Sequence, residues 1–156
     1  MSMQEQLTTQ LRKTQRYFRN TASSFSEEDS GFAPTEEMFT VAAQVAHAAD
    51  TLDWFVEGAF GRGWDMDFEA LNAKAKAVTS FTEAMAWLDR AFDGVAEVIS
   101  ESDEETLQAP IPNDQLMGGM PRAGIVPSIV DHTAHHRGSL AIYARLLGRV
   151  PAMPYS

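Results

Sequence analysis

The sequence predicts an all-α protein: a four-helix bundle with a long loop between helices three and four. Three observations predict it. Apolar side chains recur at helical spacing along four segments, Gly, Pro and Ser gather between those segments, and no run alternates convincingly as a strand would.

Helix one is expected from Gln4 to about Thr21, where Leu7, Leu11 and Phe18 recur near helical spacing. Arg12, Lys13, Arg16 and Arg19 lie between them and make this the only basic segment. Ser23 to Pro34 collects Ser, Gly and Pro with Glu27, Glu28 and Asp29, a loop; the Pro-Thr-Glu-Glu of Pro34 to Glu37 then supplies a breaker and acidic first-turn residues. Helix two is expected from about Thr35 to Phe60 on the stripe Met38, Val41, Ala42, Val45, Ala49, Leu52, Phe55 and Val56, stopped by Gly61-Arg62-Gly63. Its many alanines give high helix propensity and also let neighbouring helices approach closely.

Asp67 to about Glu101 contains no Pro and only Gly94, with Leu71, Val78, Phe81, Met85, Leu88, Phe92, Val95 and Ile99 along one face. The spacing predicts one long helix three. Ser102 to Pro127 holds four Pro and three Gly, so a loop is expected there, packed through Leu107, Ile111, Leu116 and Met117. Loops of this length inside compact domains are uncommon and often functional, and this one is expected to cover an opening in the core. Helix four begins at Val126 or Ser128 and runs to Leu147, ahead of Gly148 and Pro151.

At 156 residues the chain fits a single domain spanning 1–156. Its 44% hydrophobic content suffices for a core. Twelve basic against 22 acidic residues leave a net charge of −10, which disfavours nucleic acid and anionic membranes as partners. Cysteine is absent, which excludes disulfides, zinc-thiolate clusters and a cysteine nucleophile, and leaves nitrogen and oxygen as the metal ligands on offer. The first ten residues are polar and no apolar run is long enough to span a bilayer, so a soluble, cytoplasmic protein is expected.

The chain has four His, at 47, 132, 135 and 136. His132 and His136 are four residues apart, so a helix stacks them one turn apart with both rings able to reach one point. His47 lies among Ala43, Ala46, Ala48 and Ala49, where small neighbours leave room for an imidazole between helices. It can supply a third nitrogen, since bundles build metal sites from facing helices. Each feature alone has a plainer reading: a core His at position 47, and a chance pair on a solvated helix at 132 and 136. His135 lies about 100° from His136 around the helix and reads as surface or as a supporting residue. Asp50, three residues after His47, and Asp131, beside His132, can orient a ring, take a metal position or accept a proton, or simply be solvated. Asp50 is the one candidate catalytic residue. Arg137 and Arg145 can meet a substrate carboxylate, though surface pairing is their default. Glu-x-x-His, His-Glu-x-x-His, phosphate-loop and Gly-x-Ser-x-Gly patterns are absent, which removes the standard di-iron, zinc-protease, nucleotide and serine-hydrolase readings.

His47 within Ala46-His47-Ala48, together with Asp131-His132-Thr133-Ala134-His135-His136-Arg137-Gly138 and the ending Tyr143 to Pro151, resembles the DinB-like superfamily of four-helix proteins. That family carries one His in helix two and His-x-x-x-His-Arg-Gly in helix four. Ser139 stands where the family often has Gln. The resemblance implies a divalent metal, commonly nickel or zinc, held by His47, His132 and His136 with open positions, in a protein that often forms homodimers. It also implies relatives that use a low-molecular-weight thiol in transferase or isomerase reactions.

The leading expectation is a metal-dependent enzyme acting on a small-molecule substrate. It would activate a small-molecule thiol, which a chain without Cys must import, or water, in the manner of a thiol-dependent transferase or a hydrolase. The second is a non-catalytic metal-binding stress-response module. The third is a relative whose three His merely pack.

Overall fold

The structure is a computed structural model and describes residues 1–112 and 115–156. Those residues form six α-helices: α1 (Met3–Ala22), α2 (Val41–Phe60), α3 (Phe68–Lys76), α4 (Phe81–Glu101), α5 (Glu104–Gln108) and α6 (Ile125–Leu146). The only β pairing among the described residues is an isolated bridge between Pro110 and Pro121. No helix among them is long and apolar enough to cross a membrane.

The four long helices, α1, α2, α4 and α6, close into a ring in which α1 and α2 each pack against both α4 and α6. Leu11 and Phe18 of α1, Val45 and Leu52 of α2, Leu88 and Phe92 of α4, and Ile129 and Leu140 of α6 meet in the centre and are essentially without solvent contact. α2 is buried on nearly every side, because Ala42, Ala43, Ala46, Ala48 and Ala49 let its neighbours come close. The basic face of α1 is matched by acids on α4: Arg12 pairs with Asp93 at 2.7 Å, and Arg19 pairs with Asp89. These pairs are exposed or partly exposed and contribute little to stability.

Helix one and the ends of helices two and four lie where the sequence places them, with Gly61 capping α2 and Gly148 at φ +78° following α6. Three expectations are corrected. Helix two starts at Val41, because Thr40 accepts the Ala43 N–H at 3.1 Å and the Val41 and Ala42 N–H groups donate to Phe32 and Ser30 carbonyls. Pro34 to Phe39 therefore forms turns, and Met38 is exposed. The expected third helix is two helices, because Ser80 accepts the Glu83 N–H at 3.1 Å and begins α4 afresh after Ala77–Thr79.

The expected loop also carries structure. It contains α5 and a single 3₁₀ turn at Arg122–Gly124, and α6 starts at Ile125 with Pro127 tolerated in its first turn. Leu107 and Ile111 are buried, and Leu116 and Met117 pack on the core as expected. Residues 113 and 114 of that loop lie outside the described residues. The Arg122 Nε–H donates to the Ala59 carbonyl at 2.8 Å, so this segment closes the far end of α2, about 18 Å along the helix from His47.

The chain's tail is tied down by Arg149, whose guanidinium donates to both Asp29 oxygens at 2.6 and 2.9 Å and to the Ser24 carbonyl. That bond holds the buried Asp29 carboxyl below the usual carboxylate range. Arg149→Met is expected to cost about 1–2 kcal/mol, less than a fully buried pair because the Arg side is partly exposed. Urea denaturation checks this, and an unchanged midpoint would contradict it.

Candidate metal centre

α2 and α6 pack side by side, which places His47 against the His132–His136 pair. One candidate ligand nitrogen from each of the three rings lies within 4.8 Å of the others. The ring centroid of His47 is 5.1 Å from that of His132 and 4.6 Å from that of His136. The two α6 rings bring their Nε2 atoms to 3.1 Å. Nitrogens that share one zinc at about 2.1 Å with angles near 90–110° stand about 2.9–3.4 Å apart, so this pair already has the spacing of two ligands. A small inward swing of the His47 ring would complete the set.

Position in the bundle sets the protonation of these rings. His136 is buried, with His47 and His132 half-buried. Burial, and secondarily the neighbouring imidazoles, push His136 down to about 3 and His132 to about 4, from an ordinary 6.5. Burial lowers His47 too, against the opposing pull of Asp50. All three rings are therefore neutral near pH 7, and a cation would have no protons to displace.

A stability consequence follows with a definite sign. As pH falls below 6.5, unfolded chains take up protons that the folded rings refuse, so the metal-free protein is expected to lose stability from about pH 6.5 towards pH 4. Urea midpoints of EDTA-treated protein should fall over this range, and fall less in a His132→Asn/His136→Asn variant. Equal slopes for the two would contradict it.

The remaining candidates separate. Asp50 is buried but bound to Lys74, Nζ to Oδ1 2.7 Å, which occupies its carboxylate; its influence on His47 is through charge. Asp131 and His135 are exposed, with the His135 ring 4.8 Å from that of His136. Ser139 donates to the His135 carbonyl at 3.3 Å within its own helix. Arg137 faces α1, its guanidinium over Tyr17 and Tyr155 at 5.9 and 5.3 Å, and Arg145 donates to the Ala141 carbonyl. The sequence reading missed Gln44, whose amide lies 2.7 Å from His136 Nδ1 in the buried layer between α2 and α6. Its signal was present: a polar residue one turn before His47 in a stripe of Ala. Phe39 was missed as well. It packs on His47 at 5.3 Å between centroids, beneath Lys76.

Comparison with known proteins agrees with this architecture. The family model of the DinB superfamily matches residues 10–140, a span that includes all three histidines. The chain belongs to the DinB superfamily. A solved structure, that of the DinB-like protein YjoA from Bacillus subtilis, is similar over 97% of this chain and 98% of its own, with a TM-score of 0.69 and 16% identity. At that identity the likeness concerns the fold. No curated protein matches the chain. Family membership and the His cluster are together compatible with a divalent metal.

Proposed function

We propose that this DinB-superfamily protein is a divalent-metal-dependent enzyme that activates a small-molecule thiol, or else water, for attack on a small electrophilic substrate. The observation that carries the reading is the convergence of three neutral imidazoles from two helices, within 4.8 Å of one another. His47, His132 and His136 would hold the ion; an all-imidazole set suits zinc, nickel, copper and iron alike, and zinc or nickel is favoured on the family resemblance alone. Three protein ligands, two of them half-buried, leave room for exchangeable positions, which favours a catalytic over a closed structural site. A divalent ion held there lowers the pKa of a thiol or water beside it and so supplies a nucleophile near neutral pH.

The chain's own contribution is to keep the rings neutral by burial and to shield one side of the site with Phe39. Asp50, bound to Lys74, serves as a fixed negative charge near His47. A thiol nucleophile would have to come from outside because the chain has no Cys; thiol transfer ranks first, on the family resemblance, and hydrolysis second. The working assembly is proposed to be a cytoplasmic homodimer that does not engage nucleic acid or membranes.

The test is an electrophile panel assayed with zinc- or nickel-loaded protein and each of several low-molecular-weight thiols. Turnover that requires both metal and thiol is expected, and turnover that requires metal alone identifies the hydrolase. Metal-loaded protein silent throughout would overturn catalysis in favour of a metal-binding stress-response module.

A further inference from the structure

Gln44 is nearly sealed from solvent, at 5% exposure, in a stretch of α2 where its neighbours are Ala42, Ala43, Val45 and Ala46. An amide in such surroundings is costly unless it is hydrogen-bonded. Its bond is to His136 Nδ1 at 2.7 Å. The other nitrogen of that ring, Nε2, points the opposite way, to His132 Nε2 at 3.1 Å. His136 is thus held at both ends, by Gln44 on the closed side and by the shared ligand position on the other.

Two proton arrangements satisfy these contacts. If the Gln44 N–H donates to Nδ1, His136 carries its proton on Nε2 and has no lone pair for an ion. If the amide makes a half-turn, with the heavy atoms exchanging places at the same separation, the oxygen accepts from Nδ1–H and Nε2 is left bare. Only the second arrangement makes His136 a ligand. In it the His132 Nε2–H donates to His136 Nε2 in the metal-free protein, and His132 becomes a ligand through Nε2 once its proton moves to its own Nδ1, with no net loss of a proton.

We propose that Gln44 is a positioning residue for the candidate metal centre: its amide oxygen accepts the His136 Nδ1–H, fixing the ring's tautomer and aiming Nε2 at the point shared with His132 and His47. This rests on the metal-binding reading above, but the tautomer can be read without metal. Such supporting partners typically change metal affinity by 10–100-fold.

The test uses the full chain, zinc alone as the probe, and Gln44→Leu and Gln44→Glu variants checked for unchanged helical signal. Long-range ¹⁵N–¹H correlation of the metal-free wild type should show His136 protonated on Nδ1, and Gln44→Leu should shift it towards Nε2–H. Zinc affinity should fall about 10–100-fold in Gln44→Leu and stay equal or rise in Gln44→Glu at a pH where its carboxylate is ionised and can only accept. A wild-type Nε2–H tautomer would overturn the proposal, as would Gln44→Leu with wild-type affinity and tautomer. Wild type that binds no zinc yet shows the Nδ1–H tautomer, lost in Gln44→Leu, would leave the Gln44 contact standing and overturn the metal reading instead.

Discussion

His136→Ala is expected to strip the protein of its divalent ion. Wild-type protein purified without an affinity tag should carry close to one zinc or nickel per chain by elemental analysis, and the variant should carry almost none. His136 is the most deeply placed of the three rings, at 8% exposure, and its Nε2 stands 3.1 Å from His132 Nε2. Removing it takes away one of three nitrogens and leaves the remaining two on different helices. The loss should exceed the 10–100-fold typical of a supporting residue, so a fall of more than about 100-fold in zinc affinity is expected. His132→Ala should behave alike. His47→Ala should also weaken binding strongly, since it is the sole donor from α2. His135→Ala and Asp131→Asn, both exposed, are the controls and should retain the ion. Metal content that is low in wild type and unmoved by His132→Ala or His136→Ala would contradict the metal centre outright.

The parts of this site that were legible in the sequence are those fixed by helical periodicity. The four-residue interval between His132 and His136 obliges their rings to stack on any helix, and the Ala stripe around His47 marks a surface that other helices approach. The partnership of α2 with α6 was not in the periodicity; it came from the pattern shared with the DinB superfamily. Breaks in helices were harder to read. Val78, apolar and in phase with the stripe of α4, concealed the boundary that Ser80 enforces by capping Glu83. Pro34-Thr-Glu-Glu looked like a helix start, yet α2 begins six residues after Thr35, at Val41, where its first N–H groups meet the carbonyls of Phe32 and Ser30. Those acceptors are tertiary and leave no local trace. Asp50 was similarly ambiguous: its position beside His47 was plain, but its capture by Lys74 depends on how α3 folds back on α2.

Gly58→Ala should destabilise the protein substantially, although the same change in an exposed helix would stabilise it by about 1 kcal/mol. Gly58 is buried near the end of α2, and the indole of Trp64 lies directly on its backbone. A Cβ there would stand far inside van der Waals contact with Cε3, Cζ3 and Cδ2 of the Trp64 six-membered ring. The indole cannot yield sideways, because Trp54 and Phe55 hold it at centroid distances of 4.6 and 6.0 Å. Nor does a polar anchor compensate, since Trp64 Nε1 is buried without a hydrogen-bond partner. Trp64 must therefore leave its place. Losing a buried Trp costs about 3–5 kcal/mol, so after the helix gain a net loss of about 2–4 kcal/mol is expected. Urea denaturation should show this, with a red-shifted tryptophan emission as the indole meets water. In a Trp64→Leu background the added cost of Gly58→Ala should shrink, because the two residues are coupled through one contact. Metal retention should be unaffected, as Gly58 lies about 16 Å along α2 from His47. A Gly58→Ala protein with wild-type stability and emission would mean that Trp64 does not rest on α2.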